Sequence, residues 1–159
     1  MTTLSLAPQN HWHLVRRLPL AFVAGFLAVL LFHQPMLGVL HALGVTALTP
    51  YPMGTTLPFG VPRVLSLAFW GGIWALPLDL LLDGLRRTAS YWWTALLFGA
   101  LGPSAVNWLV VLPLKGAAIG GGWHASGVVT ALVINGVWGL GTGLILYGIS
   151  RSRGGRQSA

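Results

Sequence analysis

The stretch VLSLAFWGGIWALPLDLLL, residues 64–82, decides the fold of this chain. Its only charged side chain is Asp79. A helix needs about 20 apolar residues to cross the hydrocarbon core of a bilayer. The stretch also lacks the alternation of apolar and polar residues that marks a membrane β-strand. The pattern therefore predicts a transmembrane α-helix.

Three further apolar stretches predict helices at about residues 15–40, 91–114 and 126–149. The first is too long for the apolar core of a cleaved signal peptide, which has roughly 7–15 residues. The chain is 55% hydrophobic and 7% charged, whereas a soluble domain carries roughly 25% charged residues. The sequence thus predicts an all-α integral membrane protein, with four transmembrane helices in one membrane domain, residues 1–159.

The basic residues indicate how the helices are oriented, because Lys and Arg concentrate in cytoplasmic connections. Those on the side that holds both chain ends are Arg16, Arg17, Arg86, Arg87, Arg151, Arg153 and Arg156. The opposite side has Arg63 and Lys115. The distribution predicts a cytoplasmic N-terminal segment at residues 1–14 and a basic cytoplasmic tail at residues 150–159.

The long connection on the outer side, residues 44–62, is rich in proline. Proline donates no backbone hydrogen bond and interrupts a helix. We therefore expect either an ordered, non-helical cap or a segment that re-enters the membrane. The other outer connection, residues 115–122, is short and rich in glycine.

The second and fourth helices resemble each other. Residues 64–87 align with residues 128–151 without a gap, so that Gly72 matches Gly136. The same alignment pairs Trp74 with Trp138 and Arg87 with Arg151, and a weaker alignment of the first and third helices pairs Gly25 with Gly99 and His33 with Asn107. We expect a tandem two-helix repeat with a pseudo-twofold axis along the membrane normal, as in some transporters. The alternative is a duplication that merely built a stable bundle.

Small residues predict where helices approach closely, because lipid gives no hydrophobic drive for helices to associate. The candidates for helix packing are Gly71, Gly72, Gly136, Gly139 and Gly143. They predict contacts within the bundle or, alternatively, a face for self-association. Prolines at positions 35, 77 and 103 predict interrupted helices, which either mark a substrate site or are tolerated without a function.

Polar residues within the apolar stretches are candidate functional residues because they are costly in lipid. They are His33, Gln34, Asn107, Asn135 and Asp79. Asp79 lies one helical turn before Asp83 and close to Arg86 and Arg87 in sequence. This spacing favours an ion-pair cluster at the cytoplasmic boundary over a proton relay.

His33 is the deepest of the outer histidines, and we expect it to hydrogen-bond to Asn107 of another helix. The alternative is that His33 binds haem, with His124 as the second ligand. His33 and His41 are about two helical turns apart, too far to share a metal ion, so no metal site is predicted. Asn107 and Asn135 are expected to hydrogen-bond across helices or to line a polar path.

Several functional classes are excluded or disfavoured by composition. The formal charge of +7 comes with only two acidic residues, and the basic residues form no aromatic-interleaved face of the kind that binds nucleic acid. The chain has no cysteine, which excludes disulfides, thiol catalysis and Cys-ligated clusters. No nucleophile with a neighbouring base is present, so no catalytic residue is predicted.

Three segments carry a resemblance: FHQPMLGVLHALG at residues 32–44, PFGVPRVLSLAFWGGIW at 58–74 and VNWLVVLPLKG at 106–116. With them the chain resembles an uncharacterised family of short four-span inner-membrane proteins of proteobacteria, over about residues 18–148. The resemblance implies a bacterial inner membrane and four spans. It implies no activity and no site residue.

The sequence favours a non-enzymatic structural or accessory subunit that acts through helix–helix contacts. Its expected partners are the lipid bilayer and either a second copy or a larger membrane complex, with no nucleic acid. One alternative is a small oligomeric transporter or channel. Another is a haem- or quinone-associated membrane redox protein that uses His33.

Overall fold

The computed structural model describes residues 11–85 and 88–154. The predicted cytoplasmic residues 1–10 and 155–159, and the arginines at 86–87, lie outside the described residues. The described part of the chain contains four helices that are long and apolar enough to cross a membrane. The predicted number of spans therefore agrees with the structure.

The helices are numbered α1 to α4 in chain order. Helix α1 comprises His11–Ala28, a π-helical turn at Val29–His33 and Gln34–Ala42. Helix α2 is Arg63–Leu82, followed by a 3-10 turn at Asp83–Leu85. Helix α3 comprises Ser90–Val106, a π-helical turn at Asn107–Val111 and Leu112–Leu114, and helix α4 is Ala125–Gly154.

The first and last helices extend beyond their predicted bounds. Helix α1 begins at His11 rather than at residue 15, and α4 ends at Gly154 rather than at residue 149. Hydropathy marks where a helix leaves the lipid, whereas the helix itself continues for as long as its backbone hydrogen bonds propagate. Part of the predicted N-terminal segment and of the predicted tail is therefore helical.

The helices form a bundle in which α1 packs mainly on α2 and α3 packs mainly on α4. Helix α1 also packs along α4, whereas the contact between α2 and α3 is smaller. We call the end that carries the 43–62 and 115–124 connections the loop end, and the end that carries Arg17 and Arg151 the tail end. Alanines fill much of the core, around the buried ring of Trp138, so the backbones lie close together.

The two π-helical turns have the same local cause. Each is followed by a proline, Pro35 in α1 and Pro113 in α3. A proline ring within a helix clashes with the carbonyl four residues earlier and has no N–H to donate, and a wider turn relieves the clash. In the wide turns Gln34 donates its N–H to Val29, and Leu112 donates its N–H to Asn107, five residues back.

Two of the predicted interruptions do not occur. Pro77 and Pro103 lie inside continuous α-helices, in α2 and α3 respectively. At each of these prolines one backbone N–H donor is missing, but the helix type does not change. Neighbouring helices permit this in membranes. Of the three prolines expected to interrupt a helix, only Pro35 does so. Pro113, which was not among the three, also interrupts its helix.

The long connection between α1 and α2 is ordered. It contains a two-stranded antiparallel hairpin, β1 at Thr55–Thr56 and β2 at Val61–Pro62. Before the hairpin the chain folds back along α1, and Pro50 lies over Gly38. The prediction of an ordered connection agrees with this arrangement.

Candidate functional site

An ion-pair cluster joins α1 to α2 near the tail end of the bundle. Arg17 of α1 donates its Nε hydrogen to Asp79 Oδ2, and its Nη1 lies 2.5 Å from Asp83 Oδ2. The Nη2 group of Arg17 also donates to the backbone oxygen of Asp79 over 2.6 Å. The two carboxylates lie one turn apart and therefore face the same neighbour. Both predicted aspartates form an ion-pair cluster with Arg17, and the arginines predicted for it, Arg86 and Arg87, lie outside the described residues.

The burial of this cluster favours a structural role. The Asp79 side chain is fully buried, that of Arg17 is 18% exposed and that of Asp83 is 59% exposed. A guanidinium that donates to a carboxylate makes a charge-assisted hydrogen bond, and removing either partner of a buried pair leaves the other charge without compensation. The geometry thus ties α1 to α2, and it does not present a free carboxylate for proton transfer.

The wide turn of α1 is capped by the connection that follows it. Gln34 is fully buried, and its Oε1 accepts the backbone N–H of Tyr51 over 2.6 Å. The Tyr51 hydroxyl donates to the backbone oxygen of Leu30 over 2.8 Å. Tyr51 adopts a left-handed backbone with φ of 51°, a conformation that costs a non-glycine residue roughly 1–2 kcal/mol.

The chemistry of the wide turn explains why Tyr51 lies there. With five-residue spacing, the partner of the Leu30 carbonyl would be Pro35, which has no N–H to donate. The Tyr51 hydroxyl supplies the missing donor. Tyr51 was not among the residues predicted from the sequence to form a site. The available signal was a lone tyrosine in the proline-rich connection, after a helix that proline interrupts.

His33 has a different neighbour from the one predicted. Its Nδ1 lies 3.3 Å from Gln34 Nε2, and the hydrogen bonds among the described residues do not include the predicted pair of His33 and Asn107. The reason is the arrangement of the bundle, in which α1 packs on α2 and α4 and makes at most a slight contact with α3, the helix that carries Asn107. Asn107 itself begins the corresponding turn of α3.

Asn135, the other amide predicted to lie within the membrane, makes the predicted type of contact. Asn135 of α4 donates from Nδ2 to the hydroxyl of Ser104 in α3 over 2.9 Å, and Ser104 is fully buried. Two further hydroxyls on α4, those of Thr130 and Thr142, are buried and have no hydrogen-bond partner among the described residues. These three hydroxyls were not among the polar groups predicted from the sequence.

The glycines predicted to mediate packing all contact neighbouring helices of the same chain. A Cβ at Gly71 would overlap Val29, one at Gly72 would overlap the Phe22 ring, and one at Gly136 would touch Leu96. A Cβ at Gly139 would overlap the Ala95 carbonyl, and one at Gly143 would press on the Ala95 methyl. These positions are therefore buried by the bundle itself.

The closest approaches in the two helix pairs involve similar positions. In the first pair, a Cβ at Gly25 would overlap the Gly71 carbonyl and the Ala75 methyl. In the second pair, a Cβ at Gly99 would lie 2.6 Å from the Asn135 carbonyl and 2.8 Å from Gly139 Cα. The buried Trp138 joins the pairs, because its Nε1 donates to the Gly25 carbonyl over 3.0 Å.

The described residues offer no constellation for a metal ion, because no three of their His, Asp or Glu side chains form a group that could hold one. An apolar groove of about 340 Å³ lies over Gly141, with Phe32 and Trp92 among its lining residues. Comparison with protein families, curated proteins and solved structures found no match to this chain. What the chain does is therefore inferred from its own geometry.

Proposed function

We propose that this chain is an integral protein of a bacterial inner membrane and a non-enzymatic accessory subunit that binds a partner through α3. The single observation that carries the proposal is the difference in burial among the four membrane-length helices. In the most apolar part of each, 17% of α3 is buried by the rest of the chain, compared with 39% of α2 and 44% of both α1 and α4.

The exposed face of α3 is continuous and apolar. Trp93, Leu97 and Leu101 follow one another at four-residue spacing and are 62%, 52% and 56% exposed, so they lie on one side of the helix. Helix α3 packs on one face against α4 and makes a smaller contact with α2. The opposite face is a surface on which another helix can pack.

The internal polar groups support a non-enzymatic role. Asp79 is held by Arg17, Gln34 by Tyr51, and Asn135 by Ser104. Each polar side chain thus contributes to joining elements of the bundle, which is the usual use of such groups between membrane helices. We place both termini in the cytoplasm, because most of the basic residues that the structure describes lie at the tail end.

The proposal includes a tandem repeat of two helices. Gly25 meets Gly71 and Ala75, and Gly99 meets the aligned residues Asn135 and Gly139. Related halves with an axis along the membrane normal would produce such matching contacts. The wide turn, however, begins four residues after Gly25 and eight after Gly99, so the halves differ by one helical turn at the loop end.

Photocrosslinking in native membranes tests the role of α3. A benzophenone amino acid at Leu101 should give one defined protein adduct, and the same group at Leu80 of α2 should give lipid adducts. The two positions are matched in exposure, at 56% and 53%. The adduct should be lost when the neighbouring Leu97 is changed to Trp, because the larger ring displaces a packed helix. Equal protein adducts from both positions, or none from Leu101, would refute the role of α3.

A second candidate, a small oligomeric transporter, is favoured by the wide turns in α1 and α3. Interrupted helices at related places in two halves are where transporters bind substrates. The buried hydroxyl of Thr142 would contribute to a polar path. Because the chain has no cysteine, Thr142→Cys supplies a single reactive thiol. Modification of that thiol by a charged, water-soluble reagent in intact membranes would support a path, and complete protection would exclude one at this position.

A further inference from the structure

The hairpin at the loop end exposes large apolar side chains. Leu57 is 96% exposed and Phe59 is 86% exposed, on either side of Pro58 at the tip, and Met53 before the hairpin is 67% exposed. Leaving a leucine or phenylalanine in water instead of burying it costs about 1.5–3 kcal/mol each. The three side chains therefore favour an apolar environment outside the chain itself.

The composition around the tip matches a lipid interface. Residues 43–62 contain no Lys, Arg, Asp or Glu. A connection that lies in water normally carries charged residues, whereas a segment at the membrane interface buries aromatic and aliphatic side chains about 5–10 Å into the boundary of the headgroups. A charge-free connection with a Leu-Pro-Phe tip fits the second environment.

The position of the hairpin along the bundle agrees with that environment. The hairpin begins where α2 begins, because Arg63 donates its N–H to the Gly54 carbonyl over 2.8 Å. From Arg63 to Asp83 the chain rises by about 30 Å at 1.5 Å per residue, which equals the thickness of the hydrocarbon core. If the cluster of Arg17, Asp79 and Asp83 lies at one boundary, Arg63 and the hairpin lie at the other.

We propose that the hairpin tip is a lipid anchor, with Leu57 and Phe59 inserted among the acyl chains of the leaflet at the loop end. The inference rests on the membrane insertion in the proposed function, and it is independent of the binding of a partner to α3. The anchor fixes the connection against the bilayer and so fixes Tyr51 over the wide turn of α1. The occupant of the exposed tip is the lipid surface.

Single-cysteine variants test the proposal. Phe59→Cys and Leu57→Cys are each labelled with a polarity-sensitive fluorophore in vesicles of phosphatidylcholine and phosphatidylglycerol, with or without bromine on the acyl chains. Ala117→Cys, beside Lys115 in the other connection, is the control in water, and Leu80→Cys, at the position of α2 expected to meet lipid, is the control in lipid. Quenching at residue 59 should be about threefold or more above that at residue 117, because the tip lies beneath the headgroups.

The outcomes separate the two proposals. Absence of quenching at residue 80 would overturn membrane insertion, and with it the proposed function. Quenching at residue 80 without quenching at residues 57 and 59, together with rapid labelling of the tip by a charged thiol reagent, would overturn the lipid anchor alone. Protection of the tip from that reagent without lipid quenching, with a crosslink to a protein, would assign the tip to a protein partner and would also overturn the anchor.

Discussion

The two helix pairs of this molecule are alike in how closely their own two helices approach. They differ in the polar groups that join those helices. Gly25 fits against Gly71 in the first pair, and Gly99 fits against Gly139 in the second. The first pair is joined by a buried ion pair and by a connection that folds back onto α1. The second is joined by neutral hydrogen bonds, from Asn135 to Ser104 and from Tyr91 to the Gly143 carbonyl.

This difference teaches that close backbone contact sets the geometry of a helix pair. The polar contacts determine which further interactions the pair can make. In the first pair the charged side chains contact each other at the interface between α1 and α2. The hydrogen bonds between α3 and α4 that the described residues make are neutral, and most of α3 is left uncovered. A pair of the second kind can present a face to another protein without exposing a charge to lipid.

The largest effect is expected when the close approach of the second pair is broken. Gly139→Leu places a side chain where even a Cβ would overlap the Ala95 carbonyl. Overpacking of a closed interface costs about 3 kcal/mol or more when backbones must separate. We expect loss of the folded bundle, measured by unfolding in mixed micelles with sodium dodecyl sulfate.

The matched control for this change lies on the same helix. A Cβ at Gly127 would meet nothing within 4 Å, so Gly127→Leu should leave the unfolding midpoint close to that of the parent chain. Equal destabilisation by the two leucines would show that the effect does not come from the close approach at Gly139.

A second change removes the ion pair of the first helix pair. Asp79→Ala leaves Arg17 without its buried partner. Breaking a buried ion pair costs about 3–5 kcal/mol of unfolding free energy. Because Arg17 is partly exposed, we expect a smaller loss here, of about 2–3 kcal/mol. Asp83→Ala removes the carboxylate that is 59% exposed, and exposed pairs are worth about 1 kcal/mol or less. Unfolding free energies of both variants check this order, and a larger effect of Asp83→Ala would contradict the assigned geometry.

A third change probes the neutral contact of the second pair. Tyr91 is 1% exposed, and its hydroxyl donates to the Gly143 carbonyl over 2.7 Å. Tyr91→Phe should cost about 1 kcal/mol, in the range measured for hydrogen bonds between membrane helices. The same unfolding assay applies. A cost as large as that of Asp79→Ala would mean that the neutral contact holds its pair as firmly as the ion pair holds the other.

The smallest effect is expected at the cap of the wide turn. Tyr51→Phe removes the donor to the Leu30 carbonyl, but the tyrosine is 46% exposed, so water or a headgroup can replace it at a cost of about 0.5 kcal/mol. Amide hydrogen exchange should become faster in the wide turn and stay unchanged at Ala68 of α2. Unchanged exchange throughout α1 would show that the hydroxyl does not hold the turn.

The number of helices, their approximate ends and the small residues of the close contacts follow from the sequence, because length, hydropathy and side-chain size are properties of single positions. The expected ion-pair cluster also followed, from two aspartates one turn apart. The cation that completes it did not, because Arg17 is 62 residues from Asp79 and the pair depends on how far α1 and α2 slide along each other.

Only the tertiary structure decided which polar groups meet and which helix remains uncovered. Local sequence does not distinguish Pro35, which opens its helix, from Pro77, which does not. His33 contacts Gln34 rather than Asn107, because α1 packs on α2 and α4 rather than on α3, and the wide turn leaves the Leu30 carbonyl to accept the Tyr51 hydroxyl. Such contacts depend on the rotation and relative height of whole helices, and these are set by packing along their full length rather than by the residues at the site.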